Sequence, residues 1–436
     1  MRHHIDDISV KYTKYFKANK KKWKLGNMVK PIPISVFICL QTNLFPIPHS
    51  ISQKMPITHM DLDSFFVSVE CLENNRLKGK PLLIGGSGDR AVVASCSYEA
   101  RSFGVHAAMP MQLARKLCPD AIILRGDMDK YTRYSELVTS VIHEQAPVYE
   151  KASIDEFYLD LKGMDRFFGC YQWATELKQR IRNETGLAIS FGLSENKTVS
   201  KVATGEIKPN GQLQIEKGRE KIFLAPLHVR KIPMVGEKNA FLLKSMGIEK
   251  IMTLQEMPVE LMENLMGQTG VSIWKKANGI DHTPVVPYSE KKSISSEETF
   301  EKDTIDINKL NSILMSMTEQ LGFQLRSSQK LCACVAVKIR YSDFDTHSMQ
   351  AKIPYTSSDH ILMARVKELF KKLYNRRLLV RLIGVRLSHL VQGNYQIDLF
   401  EDTNSMINLY QAIDRMKQRF GADKIQRAIG LDKYKQ

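Results

Sequence analysis

Two acidic clusters from distant parts of the chain constrain its fold more than any other feature. Asp61-Leu62-Asp63-Ser64-Phe65-Phe66 and Ser153-Ile154-Asp155-Glu156 each place carboxylates beside an apolar strand. Phosphoryl transfer requires of a protein mainly positioned oxygens, metal charge and an in-line nucleophile. Carboxylates from two segments that meet on one sheet can hold a pair of divalent ions over a triphosphate. The pattern therefore favours a mixed α and β fold with a metal-dependent site on its sheet.

The first cluster combines the end of a strand with the start of a helix. Residues 59–63 are predicted to form a short strand, so Asp61 and Asp63 should project from the same face. A helix should begin at Asp63, because aspartate is a favourable N-cap. It should bury one apolar stripe, namely Phe65, Val69 and Leu72. We expect Asp61 to bind metal and Asp63 to cap the helix or support the site. The alternative is a pair of solvated acids, because motifs this short also occur by chance.

The second cluster places two acids side by side. On an ideal strand Asp155 and Glu156 would point to opposite faces. They can converge on one site only if the strand bends or ends there. One of them can then bind metal while the other acts at the attacking hydroxyl. Solvated acids at a strand end are again the alternative.

Phe66 is offset by one helical step from the stripe that contains Phe65, so it should not point into the same core. An aromatic ring beside a nucleotide sugar would clash with a ribose 2′-hydroxyl. The alternative is a second core phenylalanine, which is the commoner fate of an aromatic residue in a helix.

The order of four motifs resembles that of the Y-family DNA polymerases. Besides the two acidic clusters, the motifs are Tyr98-Glu99-Ala100-Arg101-Ser102-Phe103-Gly104-Val105 and Lys208-Pro209-Asn210-Gly211. The chain is most similar to the DNA polymerase IV branch, from about Met55 to about Phe400. The resemblance implies an α+β multidomain, right-hand polymerase with palm, fingers, helical thumb and α/β little finger. It also implies a low-fidelity, template-directed enzyme that acts in translesion synthesis and DNA repair without proofreading.

The resemblance assigns roles to individual residues of the acidic clusters. It implies that two Mg²⁺ ions are held by Asp61, Asp155 and the backbone carbonyl of Leu62. It implies that Glu156 is the catalytic acid and that Phe66 is the steric gate against ribonucleotides.

A second set of residues is suited to the triphosphate. Tyr98 and Arg101 are three apart on a predicted helix closed by Gly104, so both side chains face one way. Arginine offers a planar fork for phosphate oxygens, and the resemblance places both residues on the incoming nucleotide. A surface arginine packed along a tyrosine ring is the alternative.

Lys201 is also implied to contact the triphosphate. It lies four residues after Lys197, and both follow an apolar strand over residues 189–193. Without the resemblance, such a pair would be read as a solvated helix face. Gly205 is expected to weaken the helix.

Composition is consistent with a nucleic-acid partner. The chain has 436 residues and a formal net charge of +16, which favours binding of polyanions. Its seven cysteines form no zinc or disulfide pattern, which predicts a reducing, cytoplasmic location. No apolar run is long enough to span a membrane. We expect a monomer whose partners are primer–template DNA and deoxynucleoside triphosphates.

Composition also changes along the chain. Residues 1–54 combine the basic run Lys20–Lys24 with a proline-rich stretch, and we expect them to be a disordered extension or to precede a native start at Met55. The predicted domains that follow are palm (55–72 and 131–218), fingers (73–130), thumb (219–286), linker (287–296), little finger (297–395) and a C-terminal tail (396–436).

Two segments are predicted to bind the DNA backbone. Residues 232–238 resemble the hairpin of a helix-hairpin-helix, in which Gly236 lets the backbone turn towards a phosphate and Lys238 adds charge. A plain helical turn is the alternative. Residues 331–341 alternate, with Lys338 and Arg340 on the face opposite the apolar residues, and should contact DNA without reading sequence.

The segment Gln396-Ile397-Asp398-Leu399-Phe400 resembles the peptide with which bacterial polymerases bind the sliding clamp. Gln396, Leu399 and Phe400 would enter a hydrophobic groove. An ordinary edge strand is the alternative, and the further residues after Phe400 include an amphipathic stretch: Met406, Leu409, Ile413 and Met416.

Two other functions remain possible from sequence alone. A DNA-binding accessory protein of the same fold would not need the clustered charge of Asp61, Asp155 and Glu156. A different two-metal nucleotidyltransferase, such as a cyclase, would need neither a basic terminal domain nor a clamp-like peptide. Templated extension of a primer would separate these functions from a polymerase.

Overall fold

The computed structural model describes residues 57–164, 169–287, 290–393, 403–421, 425 and 427 of the 436-residue chain. These residues form two compact units. Residues 57–63 and 135–285 belong to the first unit, and residues 64–134 with the described residues from 286 onward belong to the second. The predictions for residues 1–54 and for Gln396, Leu399 and Phe400 lie outside the described residues.

The secondary structure alternates between short strands and helices. The strands are β1 (Ile57–Leu62), β2 (Leu82–Gly85), β3 (Val93–Cys96), β4 (Ile122–Leu124), β5 (Val148–Lys151), β6 (Glu156–Asp160), β7 (Ile189–Ser194), β8 (Gln212–Gln214), β9 (Ser293–Thr304), β10 (Lys330–Tyr341), β11 (Thr346–Thr356) and β12 (Val380–Gln392). The α-helices are α1 (Phe65–Glu73), α2 (Tyr98–Arg101), α3 (Met111–Leu117), α4 (Met128–Gln145), α5 (Cys170–Thr185), α6 (Lys197–Glu206), α7 (Glu220–Leu224), α8 (Glu237–Ser245), α9 (Ile251–Glu256), α10 (Val259–Ala277), α11 (Ile307–Ser327), α12 (Asp359–Leu373) and α13 (Thr403–Phe420).

The first unit contains a five-stranded sheet in the order β5-β6-β1-β7-β8. Strand β1 lies at its centre and pairs antiparallel with both β6 and β7. Every residue of β1 except Asp61 is buried, as expected for a central strand covered on both faces. The sheet takes its strands from both segments that were predicted as palm, and it brings the two acidic clusters together.

Helix α6 packs closely against this sheet because of Gly192. A Cβ atom at Gly192 would lie 2.3 Å from the carbonyl oxygen of Ser200 and 2.8 Å from the backbone nitrogen of Thr204. Only glycine therefore permits this separation between β7 and α6. The close approach carries the side chains of α6 onto the sheet.

Helices α7 to α10 follow the sheet and share one apolar core with α6. This core includes Val199 and Ala203 of α6 together with Leu243, Leu254 and Ile273 of the later helices. Burial of these side chains supplies most of the stabilisation of such a helical array. Helices α7 to α10 lie within residues 219–286, for which the thumb stays a prediction.

The second unit contains two sheets. The smaller has the order β3-β2-β4, with β2 and β4 parallel, and packs on a core that includes Val93, Ala100 and Met111. The larger has the order β11-β10-β12-β9 and is antiparallel throughout. Helices α11 and α12 cover one face of the larger sheet through a continuous apolar core.

Strand β10 alternates as its sequence predicts. Val335, Val337, Ile339 and Tyr341 are buried, whereas Lys338 and Arg340 are partly exposed. The basic side chains therefore lie on the face that the helices leave open. Over the described residues, no helix is both long and apolar enough to cross a membrane.

Candidate active site

The candidate active site lies in the first unit, where β1 meets the start of β6. Asp61 stands directly opposite Glu156 in the antiparallel register. The backbone N–H of Leu62 donates to the carbonyl oxygen of Asp155 over 3.0 Å. Because β6 begins at Glu156, Asp155 belongs to the preceding turn and is released from the alternation of a strand. Asp155 and Glu156 were expected to converge on one site only if the strand bends or ends between them, and β6 does begin at this point.

Each of the three carboxylates has its own polar partner. The ammonium group of Lys208 donates to Asp61. That of Lys201 donates to both oxygens of Glu156, over 2.7 and 2.6 Å. The hydroxyl of Ser153 donates to Oδ1 of Asp155 over 2.5 Å. Two of the partners are cations, so the clustered negative charge is partly neutralised by the protein itself.

The surroundings shift the pKa values of Asp61 and Glu156 in opposite directions. Burial raises the pKa of Asp61 to about 7, and the nearby Asp155 and Glu156 add to this effect while Lys208 opposes it. The pKa of Glu156 is lowered to about 2 by its contacts with His59 and Lys201. Of these two contacts, Lys201 is the stronger on geometric grounds, because the His59 ring is 4.0 Å away and lacks a hydrogen bond to Glu156.

His59 is a site residue that the sequence analysis did not identify. Its side chain is 1% exposed, and its Nδ1 atom lies 2.9 Å from the hydroxyl of Thr204. Among the described residues, none forms a hydrogen bond to its Nε2 atom. Burial lowers the pKa of His59, which favours the neutral ring. Its position two residues before Asp61, and therefore on the same strand face, was the available signal.

Asp63 takes the second of its two expected roles: it supports the site and is not the N-cap of helix α1. The N-cap is Ser64, whose φ of 43° lies in the left-handed region. Asp63 is 3% exposed and accepts hydrogen bonds from the hydroxyl of Ser190 at 2.9 Å and from the backbone N–H of Asn210 at 2.8 Å. Its carboxylate therefore fixes the segment that carries Lys208, a residue that the sequence analysis named in a motif without assigning it a role at the site.

The lysines of α6 do not form a solvated face. Lys197 is 8% exposed, donates to Glu150 over 2.5 Å and lies 4.9 Å from the ring centre of Tyr158. Lys201 reaches Glu156 one turn later. Gly205 is the penultimate residue of α6, which ends at Glu206, and the expected weakening of the helix there stays a prediction.

The donor chemistry of the site suits a hard divalent cation. Carboxylate and backbone oxygens are the preferred ligands of Mg²⁺. Within the described ranges, however, no group of three or more His, Cys, Asp or Glu side chains is arranged to hold a metal ion. Two ammonium groups lie instead against Asp61 and Glu156. The residues fit the ion by chemistry, in a conformation in which lysines are bonded to one expected ligand, Asp61, and to the neighbouring Glu156.

The candidate sugar and phosphate contacts lie in the second unit. Phe66 is partly buried and stacks on Tyr131, with ring centres 4.2 Å apart and planes 12° apart. The hydroxyl of Tyr131 donates to Glu70 over 2.9 Å. Phe66 therefore has a fixed ring orientation without full burial, which leaves both sequence interpretations open.

Tyr98 and Arg101 share one turn of α2. The guanidinium carbon of Arg101 lies 4.8 Å from the ring centre of Tyr98. Arg101 is exposed and Tyr98 is partly buried. Arg101 therefore packs along the tyrosine ring at the surface, as the alternative interpretation expects. This arrangement also leaves its guanidinium group available to an anion.

The predicted hairpin contains a turn, although Gly236 does not make it. The residue in the left-handed region is Met234, with φ of 82°. Gly236 has an extended conformation and is the N-cap of α8, and the exposed Lys238 lies in the first turn. A cavity of about 610 Å³ separates this hairpin from α6 and is lined by Lys201, Arg230, Lys231 and Gly236, among others.

Lys338 and Arg340 have partners on the open face of the larger sheet. Lys338 pairs with Glu297 on β9, and the Nε–H of Arg340 donates to the hydroxyl of Thr346 over 2.8 Å. The ammonium group of Lys338 and the guanidinium group of Arg340 remain accessible to solvent, as a contact to phosphate requires.

Comparisons with known proteins agree on one family. A model described as the impB/mucB/samB family matches residues 60–205, and a model described as the C-terminal domain of that family matches residues 291–399. A DNA polymerase IV from Dehalococcoides mccartyi is 35% identical over 374 residues, which are 85% of this chain and 96% of that protein. A DNA polymerase IV from Methanoculleus marisnigri is 36% identical over 341 residues, which are 77% of this chain and 95% of that protein.

Solved structures give the same result. A Y-family DNA polymerase chimera of Dbh and Dpo4 aligns with a TM-score of 0.68 and 26% identity, over 77% of this chain and 99% of that chain. An insertion ternary complex of Dbh DNA polymerase aligns with a TM-score of 0.57 and 26% identity, over 79% of this chain and 100% of that chain.

Proposed function

The chain belongs to the Y-family DNA polymerases, within the impB/mucB/samB family, and from that premise we propose how its residues divide the work of primer extension. It is a template-directed DNA polymerase of the DNA polymerase IV branch, a translesion enzyme. The identification from sequence and the α+β multidomain fold class are confirmed. No observation favours the accessory-protein or cyclase alternatives.

One observation supports the proposed catalytic centre above the others. Asp61 and Glu156 face each other across β1 and β6, and Asp155 sits in the turn bonded to Leu62. All four residues lie within the segment matched by the family model. Binding of DNA alone would not need this concentration of partly buried negative charge, because DNA itself is a polyanion.

We assign two Mg²⁺ ions to Asp61, Asp155 and the backbone carbonyl of Leu62. When bound, they supply positive charge for the transferring phosphoryl group and for the leaving pyrophosphate. Glu156 completes the site as the catalytic carboxylate at the primer hydroxyl. Lys201, Tyr98 and Arg101 are assigned to the triphosphate through charge-assisted hydrogen bonds.

We also propose the partners and location inferred from sequence. The substrates are primer–template DNA and deoxynucleoside triphosphates, and Phe66 rejects ribonucleotides. Gly236, Lys238, Lys338 and Arg340 bind the DNA backbone. A monomer in the cytoplasm engages the bacterial sliding clamp through Gln396, Leu399 and Phe400.

Single-nucleotide extension of a templated primer tests the catalytic centre. Asp155→Ala should lower the extension rate by at least roughly 10³-fold, because loss of a metal ligand removes several kcal/mol of transition-state stabilisation. Binding of primer–template DNA should change by less than about twofold, since Asp155 contributes no attraction to phosphate.

Asp160→Ala is the matched control for this experiment. Asp160 is the last residue of β6, the strand that follows Asp155, and it stands opposite Ile57 at the far end of β1. Its loss should leave extension unchanged. Normal extension by the Asp155 variant, or equal losses in both variants, would reject the proposed metal ligand.

A further inference from the structure

The active-site carboxylates are close in the sheet yet do not form a metal site as they stand. Asp61 faces Glu156 across paired strands, and Asp155 is linked to Leu62 through the backbone. Even so, no three-ligand group exists among the described residues. The difference lies in the side chains, because each carboxylate is bonded to a separate group of the same unit: Lys208, Ser153 or Lys201.

Lys208 is positioned by a network and is not a loose surface side chain. Its ammonium group reaches Asp61, and the pair is 21% and 15% exposed. Two residues later, the N–H of Asn210 donates to the buried Asp63, and the N–H of Gly211 donates to the hydroxyl of Ser190. Since Ser190 stands opposite Asp61 on β7, the segment that carries Lys208 is tied to the strand beside the carboxylate.

Lys201 is held in a comparable way from the other side. It projects from α6, whose approach to the sheet is set by Gly192. One turn earlier, Lys197 is bonded to Glu150 on β5. The helix therefore presents the Lys201 ammonium group to Glu156 from a rigid support.

We propose that Lys208 and Lys201 are built-in counter-ions that close the metal site in the nucleotide-free protein, so that a divalent cation binds only by displacing them. This inference rests on the proposed function, since it assumes that Asp61 and Glu156 serve a metal-dependent reaction. The displaced ammonium groups would then be free to bind the triphosphate, which couples binding of metal and nucleotide.

Electrostatics predicts whether removal of either lysine strengthens or weakens binding of the divalent cation. The ammonium group of Lys208 occupies an oxygen of the proposed metal ligand Asp61, and that of Lys201 lies on the neighbouring Glu156. Both positive charges repel a dication held beside these carboxylates. Removal of the ammonium group leaves a partly buried carboxylate uncompensated, which favours the cation. Lysine removal should therefore strengthen binding of metal alone, whereas a lysine that merely stabilises the fold would leave it unchanged or weaken it.

Direct binding of Mn²⁺ to the full chain, without DNA or nucleotide, provides the test. Electron paramagnetic resonance of free Mn²⁺ gives the dissociation constant without any activity readout. Lys208→Met should tighten binding by about tenfold or more, which corresponds to ~1.4 kcal/mol. Lys201→Met should act in the same direction and serves as the second variant if the first does not fold. Lys208→Arg retains the charge and should bind like the wild type.

Lys217→Met is the control for a change in net charge. Lys217 lies in the same unit and is 59% exposed, and it pairs with Glu195 at 3.0 Å. Its loss should leave Mn²⁺ binding unchanged. Unchanged or weaker binding by both folded site variants would overturn the inference.

A second arm separates this inference from the proposed function. Mn²⁺ binding is repeated with a non-hydrolysable deoxynucleoside triphosphate. If the wild type binds Mn²⁺ strongly with the nucleotide, but the lysine variants do not bind Mn²⁺ alone more tightly than the wild type, only the counter-ion role is rejected. Failure of every variant to bind Mn²⁺ under either condition rejects both proposals.

Discussion

At the scale of single residues, the sequence indicated which acids would lie together but not which side chains would bond to them. Asp61 and Glu156 stand out because carboxylates beside an apolar strand are unusual and follow strand alternation. Lys208 and His59 are defined by long-range contacts, with Asp61 and with Thr204 respectively. Residue type and spacing cannot reveal such contacts. Asp63 shows a related limit, because its cap position was taken by Ser64 and its carboxylate serves Asn210 instead.

Phe66 provides the prediction that belongs to this scale. Phe66→Ala should raise ribonucleotide incorporation by at least about tenfold, because the ring would no longer meet a 2′-hydroxyl; a factor of ten corresponds to ~1.4 kcal/mol of discrimination. The measurement compares kcat/KM for a ribonucleotide and the matching deoxynucleotide in single-nucleotide extension.

Phe65→Leu is the control, because Phe65 is 3% exposed and is the adjacent aromatic residue of the same helix. It should lower stability without changing sugar discrimination. Equal sugar discrimination in the Phe66 variant and the wild type would contradict the gate and leave Phe66 as a partner of Tyr131 alone.

At the scale of elements, strands were more predictable than the faces of helices. The alternation of residues 331–341 predicted β10 and its two faces correctly, because a strand needs only local pattern. Helix α13 has the predicted amphipathic stretch, yet Leu409 and Met416 are each 48% exposed. The buried face carries Tyr410, Asp414 and Lys417 instead. Partners on α11 and α12 decide this orientation, and an apolar stripe alone does not reveal them.

The approach of α6 to β7 gives a paired glycine prediction. Gly192→Ala should destabilise the first unit by roughly 1–3 kcal/mol or more, because the new methyl group overlaps backbone atoms of α6. Gly205→Ala has no atom within 4 Å of the added Cβ and should stabilise by about 0.5–1 kcal/mol. Urea denaturation followed by tryptophan fluorescence measures both, since Trp173 and Trp274 lie in this unit. Changes of the same sign would contradict the packing argument.

Ion pairs hold α13 against the helices α11 and α12. Arg326, 4% exposed, donates to Asp414 over 2.7 and 2.9 Å and to Asp359 over 2.6 Å. Asp414→Ala should cost about 3–5 kcal/mol, because it leaves a buried guanidinium without one of its two carboxylates. Hydrogen exchange of the α13 amides in the full chain should show the corresponding loss of protection.

The matched control is Glu368→Ala, which removes the shared carboxylate of two exposed pairs on α12, with Arg365 and Lys372. Exposed pairs are screened by water and contribute little, so hydrogen exchange should stay at the level of the wild type. Protection of α13 that survives the Asp414 change would show that apolar contacts, and not the ion pairs, hold this helix.

At the scale of the whole molecule, the order of motifs predicted the family and the multidomain α+β class. Four short segments in a fixed order carry more information than any one of them, since chance matches must then coincide. The predicted domain boundaries stay predictions. Residues 64–134 form one compact unit with the described residues from 286 onward. Local sequence patterns do not contain this grouping, because it depends on contacts between distant parts of the chain.

The net charge of +16 makes a prediction about how the whole molecule binds DNA. If the open face of the larger sheet lies on the phosphate backbone, Lys338→Met with Arg340→Met should remove two counter-ion-releasing contacts. The slope of log affinity against log salt should then become shallower by about 1.8, at roughly 0.9 per phosphate contact. Loss of Lys338 also leaves Glu297 without its partner on that face, which adds repulsion from DNA and lowers affinity at every salt concentration.

Lys367→Met with Lys371→Met is the control of equal charge, because both lysines are exposed on α12, whose packed side covers the other face of the same sheet. Fluorescence anisotropy of labelled primer–template DNA over a salt series measures the slope for both pairs. If only the net charge of the protein determined binding, the slope of log affinity against log salt would change by the same amount in both double variants. A change confined to the sheet pair would mean that the fold concentrates a diffuse positive charge into one phosphate-binding face.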